Sequence, residues 1–69
     1  MSTVSDECRR QWINLASFEI ARYRYNRDHY PSSEAYIQEC NRHIDHYYRD
    51  LLTLGLSNEE IEEEVRKQG

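Results

Sequence analysis

The sequence predicts an all-α fold, in which an antiparallel helical hairpin is followed by a short acidic C-terminal helix. The chain has 69 residues but only two Gly and one Pro, too few turn residues for many short strands. An apolar stripe with helical spacing occupies residues 37–54, and a helix-capping sequence begins at Ser57. These observations favour a small three-helix bundle, either monomeric or dimeric.

The first helix is predicted to run from about Ser5 to about Arg27. Ser5 can cap the backbone of the first turn, where Asp6 and Glu7 interact favourably with the helix dipole. At 3.6 residues per turn, six residues share one broad, largely apolar face: Cys8, Trp12, Leu15, Ala16, Ile20 and Tyr23. We expect this face to contact the second helix.

The second helix is predicted to begin near Glu34, because Pro31 disfavours helical backbone at Tyr30. Steps of three and four residues separate its apolar positions: Ile37, Cys40, Ile44, Tyr47, Leu51 and Leu54. Together the two helices predict this core: Trp12, Leu15, Ile20, Ile37, Cys40, Ile44, Tyr47 and Leu51.

The third helix is predicted from its start signal. Gly55 can end the second helix in the left-handed conformation, and Ser57 opens a capping box. The helix offers only Ile61 and Val65 to a core, and it carries five glutamates within residues 59–64. These glutamates form either a solvated face or a docking surface for a basic partner.

We expect one small helical domain over residues 1–69, with a flexible N-terminus at residues 1–4 and a frayed C-terminus at residues 66–69. A chain of this length buries only about 60% of the surface that its unfolded form exposes. Small chains often gain the missing apolar burial from a second copy or from another protein. Association is therefore the default expectation.

The charge pattern narrows the classes of partner. Nine basic and thirteen acidic residues give a formal net charge of -4, which disfavours indiscriminate binding to nucleic acid or to anionic membranes. Residues 1–30 hold five Arg and four acids, whereas residues 31–69 hold nine acids and four basic residues. We see neither an export signal nor an apolar run of about eighteen residues, so we expect a cytoplasmic protein.

A second apolar side of the first helix is the most informative functional feature. Phe18, Ala21 and Tyr25 point away from the main face, beside Arg22. Either the third helix folds back and covers Phe18 and Tyr25, or this row contacts another protein. In the second case we expect Phe18, Arg22 and Tyr25 to be the binding hot spots, because aromatic residues and Arg are enriched at interface centres.

Glu19 lies within the main apolar face, where an unpaired carboxylate is costly to bury. A hairpin that turns near Pro31 places Glu19 opposite His43, so we predict a buried polar pair between these side chains. We interpret it as a pair that fixes helix register rather than as a catalytic acid and base. A pair between Glu39 and His43, one turn apart, competes with it.

Nucleic-acid binding is the alternative function. Residues 22–30 interleave cations with aromatic rings, as single-strand and RNA-binding surfaces do. The side chains that would make these contacts are Arg22, Arg24, Arg27 and Tyr30. On a helix, however, alternate residues do not face the same way, and acidic residues dominate the rest of the chain.

Other chemistry finds little support in the sequence. Cys40, His43 and His46 are separated by steps of three residues and diverge around a helix, so we expect no metal site. The hairpin places Cys8 about 20 Å from Cys40, too far for a disulfide. Because the chain also lacks Gly-rich phosphate loops and nucleophile motifs, we expect no cofactor, no small-molecule substrate and no enzymatic activity.

The sequence therefore favours a non-enzymatic regulatory or adaptor protein that acts through protein contacts, either as a homodimer or as an inhibitor of a larger protein. Nucleic-acid binding through residues 22–30 is the alternative.

Overall fold

A computed structural model describes the backbone of residues 3–69 and the side chains of residues 6–69. The chain forms three helices, α1 (Thr3–His29), α2 (Glu34–Thr53) and α3 (Asn58–Gln68). The all-α fold and its helical hairpin are confirmed: α1 and α2 pack along each other, and α3 packs mainly on α1.

The helix boundaries are set by local capping. The Ser33 hydroxyl accepts a hydrogen bond from the Tyr36 amide at 3.1 Å, which caps α2. Gly55, with φ of 100°, turns the chain after α2. The Ser57 hydroxyl accepts from the Glu60 amide, and the Glu60 carboxylate accepts from the Ser57 amide. The predicted capping box of α3 is therefore present.

Helices α1 and α3 reach close to the two ends of the described chain. α1 already includes residues 3 and 4, which the sequence assigned to a flexible terminus, and residues 1 and 2 lie outside the described part. At the other end α3 continues to Gln68, and the Gly69 amide donates to the Arg66 carbonyl at 3.2 Å. Helical structure thus extends through most of residues 66–69, and the flexibility and fraying predicted for the two ends stay predictions.

Long-range contacts define the direction of each helix. The Arg9 guanidinium donates to the Leu54 carbonyl at 2.9 Å, and the Arg27 guanidinium donates to the Asn41 side chain at 2.8 Å. α1 and α2 are therefore antiparallel. α3 starts beside Arg9 and ends beside Tyr25, so it runs in the same direction as α1.

The core lies between α1 and the two helices that pack on it. Its buried residues come from all three helices and from the α2–α3 turn: Ile13, Ala16, Ser17, Ile20, Cys40, Ile44, Leu51, Leu56, Ile61 and Val65. Of the predicted core, Ile20, Cys40, Ile44 and Leu51 are buried.

The other four residues predicted for the core are exposed or only half-buried. Trp12 is 37% exposed and Leu15 46% exposed, while Ile37 and Tyr47 are half-buried. The reason is that α3 shares α1 with α2. The buried side of α1 is consequently centred between its two neighbours, which draws Ile13 into the core and turns Trp12 and Leu15 outward.

The two cysteines are free, with Cys40 buried and Cys8 exposed. Cys8 was expected on the face toward α2, and the same rotation of α1 leaves it outside the core. Within residues 3–69, no helix has the length and apolar character needed to cross a membrane.

Candidate interaction surface on helix α1

The outward side of α1 is the candidate functional surface. Of six large apolar or aromatic side chains that are exposed in residues 6–69, four belong to α1: Trp12, Leu15, Phe18 and Tyr25. We define the α1 seam as the six exposed residues that follow one another along this side: Cys8, Gln11, Leu15, Phe18, Arg22 and Tyr25. Their steps of three, four, three, four and three residues form a heptad pattern.

The six residues of the α1 seam carry a single formal charge, and the exposed Glu7 lies on the same side of α1 near its N-terminal end. The charge within the seam is that of Arg22, whose Nη2 and Nε atoms donate to Glu19 Oε1 at 2.7 and 3.0 Å. This pairing raises the pKa of Arg22. The Arg22 guanidinium also lies 4.7 Å from the centre of the Tyr23 ring. The cation is therefore held at the edge of the seam by neighbours on its own helix.

A shallow groove of about 270 Å³ borders the α1 seam, with mostly apolar walls. Phe18, Ala21 and Tyr25 form one side, and the end of α3 at Gln68 and Gly69 forms the other. Phe18 is still 49% exposed and Tyr25 54% exposed. Of the two alternatives for this side of α1, full cover by α3 is not observed, because only Gln68 and Gly69, at the end of α3, border the two rings.

Aromatic rings also cluster where α1 ends. The Tyr25 ring stacks on His29, with 4.2 Å between ring centres, and its centre is 6.1 Å from that of Tyr30. Tyr30 is 64% exposed. The apolar surface of Tyr25 is thus extended toward the α1–α2 turn.

The predicted contact between Glu19 and His43 is not formed. The Glu19 carboxylate accepts from Arg22, and His43 Nε2 lies 3.1 Å from the Glu39 carboxylate. The His43 ring stacks on Tyr23 with 4.6 Å between centres. Each side chain pairs with a residue one turn away on its own helix. Such a pair forms regardless of how the two helices are aligned. The Glu39–His43 pair, named above as the competitor, is the one observed.

The arginines proposed for nucleic-acid contact are already engaged. Arg22 pairs with Glu19, and Arg24 binds both oxygens of Glu62, at 2.8 and 2.9 Å. Arg27 Nε lies 3.0 Å from Asp28 Oδ1. Because carboxylates neutralise the cations of this segment, nucleic-acid binding stays a prediction with less support than protein contact.

Sequence reasoning missed the role of the α3 glutamates. Glu62 accepts from Arg24 and, at 3.2 Å, from the Tyr48 hydroxyl, while Glu64 accepts from Arg10 at 2.6 Å. The hydrogen bonds from arginine lower the pKa of both glutamates. Two of the five glutamates therefore attach α3 to α1. The excess of Arg in the first half of the chain and of Glu in the second half was the available signal.

The part of the chain that the structure describes contains no group of three His, Cys, Asp or Glu side chains placed to hold a metal ion. Comparison of this chain with protein families, with curated proteins and with solved structures found no match.

Proposed function

We propose that this chain is a non-enzymatic regulatory or adaptor protein that binds another protein surface through the α1 seam. Phe18, Arg22 and Tyr25 are its central contacts. The observation that carries the proposal is the continuity of the seam: six successive positions are exposed, and only Arg22 is charged.

The composition of the α1 seam is unusual for a surface that only meets water. Single exposed apolar residues are common on soluble proteins, but contiguous apolar patches mark interaction sites. An amphipathic helix of a small protein usually has one apolar stripe, which faces the core, whereas α1 has apolar residues on a second side as well. The cores of protein interfaces are depleted of charge and enriched in aromatic residues and Arg, which fits this seam.

The aromatic rings supply enough surface to matter. Phe and Tyr side chains bury about 150–250 Å² each when fully enclosed, and Phe18 and Tyr25 are half exposed. Enclosing the remaining surface stabilises a complex by about 2 kcal/mol per ring, at about 25 cal/mol per Å². That gain opposes the entropy lost on association.

A photo-reactive phenylalanine analogue in place of Phe18 tests the proposal in extracts of the cells that make the protein. The matched control carries the analogue in place of Leu52, which lies on α2 and is 44% exposed, close to the 49% of Phe18. We expect a discrete protein adduct at position 18 and none at position 52. Mass spectrometry identifies the captured protein and shows whether it is a second copy of this chain.

Competition gives the decisive readout. Excess wild-type chain should abolish the adduct, whereas excess Phe18→Asp chain should not, because a buried carboxylate opposes docking. The captured protein, once purified, should bind the wild-type chain and lose about tenfold or more in affinity for the Phe18→Asp variant. Equal labelling at positions 18 and 52, or no competition by the wild-type chain, contradicts the proposal.

A further inference from the structure

We draw no further inference here: the strongest candidate, the exposed apolar patch that the α1 seam and its shallow groove form on the outward side of α1, belongs to the surface already described, and nothing in the structure shows what covers it.

Discussion

The two sides of α1 are built from different chemistry. The side toward α3 carries Arg10 and Arg24, which pair with Glu64 and Glu62. The α1 seam carries one cation, which is paired on its own helix. The side of α1 that packs on α3 therefore carries charges opposite to those of α3. The side without such complementarity is the side left exposed.

The charged and the apolar contacts between α1 and α3 contribute differently to the stability of the fold. Partly exposed ion pairs contribute about 1 kcal/mol or less each, whereas burying a large aliphatic side chain contributes about 1.5–3 kcal/mol. Ile61 is fully buried and Val65 nearly so. We infer that these two residues hold α3 on α1, while the arginine–glutamate pairs select where along α1 it lies.

The largest expected effect comes from removing the apolar contact of α3. Ile61→Ala should lower the free energy of unfolding by about 2–4 kcal/mol, because it leaves a cavity at a position that is 0% exposed. Phe18→Ala, measured at concentrations where the chain is monomeric, should change it by about 0.5 kcal/mol or less. Urea denaturation measures both. Equal losses for the two variants would show that the seam is already buried within one chain.

The parts of this fold that sequence predicts well are those decided locally. Ser33, Gly55 and Ser57 set helix ends through bonds to residues at most a few positions away. The stripe of α2 is one-sided, so its buried residues Ile44 and Leu51 follow from the 3.6-residue period alone. Local rules need no knowledge of how the helices are arranged.

The parts that sequence missed depend on where α3 lies. A helix with apolar residues on two sides, such as α1, does not specify which side is buried. Once α3 takes the side of Ile13 and Ser17, Trp12 turns outward. The candidate surface was predicted at Phe18, Arg22 and Tyr25, but Leu15, assigned to the core, is an exposed member of the same surface.

Ser17 marks the close approach of the packed helices and should give the next largest effect. It is fully buried, and among the described residues its hydroxyl oxygen has no hydrogen-bond partner. Ser17→Ala should therefore raise the free energy of unfolding by about 1 kcal/mol, since it removes an unsatisfied polar group and improves helix propensity. The reciprocal control, Ala16→Ser at an equally buried position, should lower it. Destabilisation by Ser17→Ala would point to an unrecognised polar contact.

The smallest effect on the free energy of unfolding should come from the ion pairs. Its dependence on pH distinguishes it from the effect of apolar packing. Arg24 and Arg10 lower the pKa of Glu62 and Glu64 in the folded state below the ordinary value of 4.5. The folded state then binds fewer protons than the unfolded state as pH falls past that value. The stabilisation is therefore present above about pH 4.5 and is lost as pH falls through the folded-state values.

Replacing both glutamates tests this assignment. The Glu62→Gln, Glu64→Gln double variant should be less stable than wild type at pH 7 by less than about 1 kcal/mol in total, given the partial exposure of the pairs. The difference should shrink toward pH 3 and with added salt. Asp45→Asn removes an exposed carboxylate from the middle of α2, away from the first turn of that helix and from both pairs, and should show a much weaker dependence. If the double variant keeps its deficit at pH 3, lost packing rather than lost charge is responsible, and the distinction between the two sides of α1 weakens accordingly.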